Sequence, residues 1–212
     1  MAVSLKVIIR KTPFYKPLLK ALNILQVINW TLKGKPSPPP HVIKQEAILG
    51  YADKFNINVF VETGTLYGDM IEAMRKRFNR LYSIELSKEF YLKAKDRFKN
   101  YPKIEIINGD SAKELNNLLP RLGNERALFW LDSHYSGGNT AKGEKDTPII
   151  EELNHIFGSS EFKHVLVIDD ARLFGVDPAY PTIEELKKYV FSKNNKLSFE
   201  VKDDTIRITP LL

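Results

Sequence analysis

The sequence predicts an α/β fold: a doubly wound, mostly parallel sheet of seven strands with an antiparallel C-terminal hairpin, preceded by helices. Three observations predict it. Strand-like and helix-like segments alternate between residues 58 and 191. The strand segments are nearly continuous apolar runs, as expected of a parallel sheet covered on both faces. The final segment, "LSFEVKDDTIRITPLL", alternates with period two on either side of Asp203-Asp204, which predicts a hairpin. That two-residue turn lacks the usual glycine.

Each element follows from its own signal. "FYKPLLKALNILQVINWTL" has helical spacing, with Lys16, Lys20, Asn23 and Thr31 near one face of a mostly apolar helix. "KGKPSPPPH", Lys33 to His41, is a linker, because three successive prolines favour extended backbone. "VIKQEAILGYADKF" is a helix with Ile48, Tyr51, Ala52 and Phe55 in register. The alternation then runs "NVFVETG" (strand), "GDMIEAMRKRF" (helix), "RLYSIEL" (strand) and "SKEFYLKAKDRF" (helix capped by Ser87). It continues with "KIEIINGD" (strand), "SAKELNNLL" (helix), "ALFWLD" (strand) and "DTPIIEELNHIF" (helix opened by Asp146 and Pro148). "HVLVIDD" (strand) and "TIEELKKYVF" (helix opened by Thr182) complete it. Residues 1–40 therefore form a basic helical segment with a proline-rich linker, and residues 41–212 form the main domain.

Composition narrows the function. The chain has 212 residues, 43% hydrophobic and 27% charged, which is globular. It has no cysteine, so disulfides, thiolate metal sites and cysteine nucleophiles are excluded. Residues 1–45 hold eight basic side chains and no acid, so the net charge of +6 belongs to that segment. The rest is slightly acidic, and no nucleic-acid partner is expected. No run is long enough to span a bilayer and no signal-peptide pattern is present, so the expected location is cytoplasmic. The N-terminal helix either packs on its own domain or a second subunit, or lies on a membrane surface with its lysines beside anionic headgroups.

Five successive strands end in an acid: Glu62, Glu85, Asp110, Asp132 and Asp169-Asp170. Ligands of open α/β sheets bind beyond the carboxyl ends of the strands, so these acids line the expected ligand rim. In "VETGTLYG", Gly64 and Gly68 let the backbone turn tightly and approach a ligand, with Thr63 and Thr65 between and beside them. Glu62 would repel the phosphates of a dinucleotide and suits a ligand with a cationic or amino group. Glu85, followed by Leu86, can take the two hydroxyls of a ribose. Asp110 and Ser111 can hold the edge of a base. These features together describe an adenosine ligand without phosphate.

With these motifs, the sequence resembles the class I S-adenosylmethionine-dependent methyltransferases over roughly residues 45–212, including the hairpin. The resemblance implies a Rossmann-like fold and S-adenosylmethionine as cofactor. "ETGTLYG" is similar to the acid-x-Gly-x-x-x-Gly form of catechol-type and macrocin-type O-methyltransferases, with Leu66 where the commoner form has a glycine. The resemblance implies that Glu62 and Gly64 contact the methionine moiety, Glu85 the ribose, and Asp110 with Ser111 the adenine. It also implies a magnesium site built from Asp132, Asp169 and Asp170, the first of these also bordering the cofactor. Three oxygen ligands with open positions suit that ion.

His134, two residues beyond Asp132, is a candidate general base for a substrate hydroxyl, or a loop histidine that hydrogen-bonds backbone or only orients substrate, and Asp132 is the second candidate catalytic residue. Tyr135 to Lys145, with Gly137, Gly138 and Gly143, is a surface loop or a flap over the substrate. Lys142, Lys145 and Arg172 could face an anionic or sugar substrate. His41, His155 and His164 are expected to be structural, and the charge run "MRKRFNR" to be a solvated helix face. The expected activity is methyl transfer to a hydroxyl of a small molecule or glycan. A catalytically silent binding module and a nucleotide-sugar or dinucleotide-binding oxidoreductase are the alternatives.

Overall fold

The computed structural model describes residues 15–132, 147–158 and 162–211. In chain order the elements are α1 (Tyr15–Leu32), α2 (His41–Lys54), β1 (Val59–Thr63), α3 (Asp69–Met74), β2 (Arg80–Glu85) and α4 (Lys88–Phe98). They continue with β3 (Ile104–Asn108), α5 (Ser111–Leu122), β4 (Ala127–Leu131), α6 (Ile149–Gly158) and β5 (Val165–Ile168). A short 3-10 turn (Ala171–Leu173), α7 (Ile183–Lys193), β6 (Leu197–Lys202) and β7 (Thr205–Pro210) follow.

The seven strands form one sheet in the order β3-β2-β1-β4-β5-β7-β6. The first five pair in parallel, and β7 pairs antiparallel with both β5 and β6. The predicted doubly wound sheet with its C-terminal hairpin is therefore present. Winding reverses between β1 and β4, which opens a crevice at their carboxyl ends.

Side-chain alternation along β1 serves both faces. Val59 and Val61 pack with Tyr82, Leu115, Phe129 and Ile206 in one core layer. Phe60 packs with Ile48, Ile71, Phe78 and Trp130 in the other. Phe60, Phe129 and Trp130 are at most 1% exposed, so truncating any of them to alanine would cost about 3–5 kcal/mol.

Local signals fix the helix starts. Ser87 accepts from Phe90 N at 3.4 Å, and Asp110 accepts from Ala112 N at 3.0 Å. Thr182 and Glu185 form a reciprocal capping box, with bonds of 3.2 and 2.8 Å. The Asp203-Asp204 turn does form. Asp203 and Asp204 take φ of 49° and 58°, the left-handed pair that a type I′ hairpin demands.

Several details differ from the sequence expectations. α2 starts at His41, so this residue belongs to a helix rather than the linker. The helix expected over residues 68–78 ends at Met74. The charge run beyond it is not simply solvated. Arg77 donates to Ala52 O at 3.0 Å and Ile57 O at 3.1 Å, satisfying carbonyls at the end of α2. Arg75 stacks 4.7 Å from the Tyr101 ring. α5 extends to Leu122 and carries Pro120 within it. Among the described residues, α1 rests on the rest of the protein through one narrow face of Leu18–Leu32. Trp30 is buried and Asn23 and Val27 are half-buried, whereas the other side chains of Leu18–Leu32 are exposed.

Candidate functional site

The site is assembled along the carboxyl rim of the sheet, starting with the loop after β1. Gly64, Leu66 and Gly68 take φ of 84°, 48° and 71°, so the loop winds through three left-handed residues. Gly64 N donates to Ile84 O at 2.9 Å and Gly68 N to Thr65 O at 2.7 Å, which closes the turn. Arg97 fastens its outer side through Tyr67 O and through Asp69 Oδ1 at 2.8 Å.

Glu62 is 1% exposed at the floor of this loop. Strand register places it beside Ser83 of β2, whose hydroxyl donates to its carboxylate. The Ser83 hydroxyl also bonds Thr65 Oγ1 at 2.6 Å. Burial pushes the Glu62 carboxyl well above the usual range. The Ser83 bond opposes that rise, while Asp132, Glu85 and Asp69 add to it. A buried acid of this kind welcomes a cation or an amine. The neighbouring Thr63 is fully buried, and its Oγ1 has no hydrogen-bond partner among the described residues.

Glu85 closes β2. Its Oε2 accepts from Leu66 N and its Oε1 from Ser87 N, both at 2.8 Å. A carboxylate offers about four acceptor positions, so two remain for outside hydroxyls. Leu86 follows, 38% exposed. Asn108, at the end of β3, donates to Glu85 O at 2.8 Å and to Leu86 O at 3.3 Å, which holds the adjoining backbone. Asp110 and Ser111 stand at the start of α5, Asp110 as its cap and Ser111 buried.

Asp132 follows β4, and its N–H donates to Thr63 O at 3.1 Å. Asp169 and Asp170 follow β5. One carboxylate oxygen from each of Asp132, Asp169 and Asp170 lies within 4.8 Å of the others. An oxygen-only trio of this kind suits a hard cation. The sequence reading missed that the protein brings its own cation here. Lys44, 7% exposed on α2, donates to Asp169 Oδ1 and to Asp170 Oδ1 at 3.5 Å. Burial alone would lower the pKa of this amine, but Asp169, Asp170 and Asp132 outweigh it and hold the pKa above the usual value. Asp169 is pushed up to about 7 by burial and by Asp132, against the pull of Lys44.

Arg172 pairs with Asp170 Oδ1 at 2.7 Å and with the Asp204 carboxylate, and its own N–H donates to Asp204 Oδ1 at 2.9 Å. It braces the rim from the hairpin side.

A small cleft opens beside this trio, between the ends of β4 and β5 and the start of α6. Leu131, Asp132, Thr147, Ile149, Glu152 and Tyr180 contribute to its walls. Burial pushes the Tyr180 phenol up to about 12, opposed by Thr147 and helped by Asp170 and Asp132. It therefore stays protonated and is a hydrogen-bond donor near neutral pH. Glu152 and Tyr180 escaped the sequence reading, because nothing local marks them as rim residues.

The structure thus gathers Glu62, Thr63, Gly64, Thr65, Gly68 and Glu85 around one loop, and Asp132, Asp169 and Asp170 around one point. Asp110 and Ser111 sit on the neighbouring helix start. His134 and the segment Tyr135–Lys145 lie outside the described residues. His155 is in α6, and His164 is buried where Ala127 N donates to its Nδ1 at 3.1 Å, a structural role as expected.

No family profile matches the chain, and no curated protein matches it in sequence. Solved structures do match in fold. The O-methyltransferase TomG of Streptomyces achromogenes, involved in tomaymycin synthesis and bound to S-adenosylmethionine, aligns with a TM-score of 0.57 at 16% identity. That alignment covers 86% of each chain. An O-methyltransferase of Bacillus cereus in complex with S-adenosylhomocysteine aligns with a TM-score of 0.57 at 11% identity, covering 88% of this chain and 89% of that one. The S-adenosylhomocysteine-bound methyltransferase PaMTH1 of Podospora anserina aligns at 0.55 and 14% identity, covering 80% and 78%. These likenesses define the fold, which is the Rossmann-like fold of class I methyltransferases.

Proposed function

We propose that the protein is an S-adenosylmethionine-dependent methyltransferase that methylates an oxygen of a small molecule or glycan. One observation carries the reading: the buried carboxylate of Glu62 lies under a glycine loop whose other wall is Glu85. A carboxylate below the loop suits the amino group of the methionine moiety. The open acceptor positions of Glu85 suit the ribose hydroxyls, and Asp110 with Ser111 suits the adenine edge.

The acceptor is proposed to approach the rim beside the small cleft between β4 and β5. Leu131 and Ile149 offer it an apolar wall, and Tyr180 offers a hydrogen-bond donor. Holding the acceptor oxygen in line with the methyl carbon and sulfur accounts for most of the expected acceleration. His134 is proposed as the base that takes the hydroxyl proton. Magnesium would be held by Asp132, Asp169 and Asp170, and when bound would lower the pKa of an acceptor hydroxyl. Lys44 neutralises the same carboxylates, so ion and amine compete for them.

Calorimetry with S-adenosylhomocysteine tests the cofactor half. Binding by the wild type, weakened in Glu85→Ala, is expected. No binding at concentrations that saturate a methyltransferase of the same fold would dispose of the proposal. Release of S-adenosylhomocysteine across a panel of hydroxylated acceptors, lost in His134→Ala, tests the transfer half. Cofactor binding without turnover on any acceptor would leave a silent binding module.

A further inference from the structure

α1 leaves most of its surface uncovered. Asn23, Val27 and Trp30, spaced by four and three residues, face the domain. Trp30 anchors the helix by donating from Nε1 to Pro36 O at 2.7 Å. The opposite face carries Leu18, Ala21, Leu22, Leu25, Ile28 and Leu32, again at spacings of three and four. Leu25 is 61% exposed and Leu32 82%. Ile24, also exposed, widens this stripe on one side. Scattered exposed leucines are ordinary, but a row of apolar side chains along about 21 Å of helix is not.

Charge distinguishes the occupants of this face. Residues 1–40 hold seven lysines and arginines and no acid. A second copy would bring the same cations against themselves, with no acid on the helix to pair them. The exposed apolar arc, including Ile24, is also wider than the narrow seam of a two-helix coil. An anionic lipid surface supplies what the segment lacks: hydrocarbon for the stripe and negative headgroups for the cations. No helix among the described residues is long and apolar enough to cross a membrane, so α1 would lie along the surface. We propose that α1 docks the protein in the plane of an anionic membrane, with Leu18, Leu22, Leu25, Ile28 and Leu32 entering the headgroup boundary. α2, which carries Lys44 to the acidic rim, begins nine residues after α1 ends. The proposal is independent of the chemistry assigned to that rim.

Sedimentation of the full chain with vesicles tests it. One set is phosphatidylcholine alone and the other contains phosphatidylglycerol. The protein should pellet with the second set, and added salt should release it. Leu22→Glu with Leu25→Glu should lower the partition coefficient at least about tenfold. Both positions are exposed, so thermal unfolding should be unchanged and should report any folding defect separately. The proposal fails if the protein stays in the supernatant, pellets equally with phosphatidylcholine alone, or pellets equally after the double substitution. It also fails if light scattering finds a dimer that the double substitution splits while no vesicle is bound, since the stripe would then belong to a second copy.

Discussion

The amine of Lys44 is bonded to the carboxylate of Asp169, 125 residues further along the chain, at a point where both side chains are buried. The acids there depend on that cation. Lys44→Met leaves buried carboxylates without it, which should cost about 3 kcal/mol measured in chelator. The variant should regain much of that stability in magnesium and bind manganese at least about tenfold more tightly than the wild type, measured by electron paramagnetic resonance. Equal manganese affinity in the two proteins would show that the amine and a metal do not compete.

Glu62→Gln keeps the shape of the buried side chain and removes its charge. Because burial already disfavours that charge, the variant should be at least as stable as the wild type in thermal unfolding. Affinity for S-adenosylhomocysteine should drop about tenfold or more, because an amide cannot pair with an ammonium. Unchanged affinity would remove Glu62 from the binding site.

The glycine loop predicts two substitutions of opposite sign. Gly68 has φ of 71°, and a Cβ there would sit 2.6 Å from the buried Phe98 ring. Gly68→Ala should therefore destabilise by about 1–3 kcal/mol in denaturant unfolding. Leu66 holds φ of 48° with 40% of its surface exposed. Leu66→Gly relieves that conformation and should be neutral or stabilising by up to about 1 kcal/mol. A destabilised Leu66→Gly would mean that the leucine side chain, rather than the backbone, holds the loop.

His164 predicts a pH dependence. Burial, with Lys163 and Arg126 nearby, lowers its pKa from 6.5 to about 4. The fold prefers the neutral ring, so the contribution is whole above pH 6.5 and is lost as pH falls through 4. The loss should reach about 3 kcal/mol. His164→Asn keeps an acceptor for Ala127 N and should flatten the stability profile between pH 6.5 and 4. An equally steep profile in the variant would place the dependence elsewhere.

Much of this was legible in the sequence because it rests on local periodicity. The strands showed as apolar runs, and each delivered its terminal acid to one rim. Ser83 was harder, since its bond to Glu62 follows from the pairing of β1 with β2 and not from either segment alone. Lys44 was hidden because it occupies an ordinary helix far from its partners in sequence. Tyr180 was hidden similarly, after a turn that no pattern ties to β4. For α1, the apolar spacing predicted a helix but could not say which face would be left uncovered.

The turn at Asp203-Asp204 also bears on how the protein assembles. Asp204 secures Arg172, and Arg172 secures Asp170. β7 must enter beside β5 before that chain of bonds can form. A nascent chain that has emerged only as far as Arg172 already carries Asp132, Asp169 and Asp170, together with Lys44, but not the strand that braces them. Such non-local pairing is slow relative to helix formation. The ligand rim is therefore among the last parts of the molecule to mature, and translational pausing before residue 204 would accumulate a sheet without a finished site.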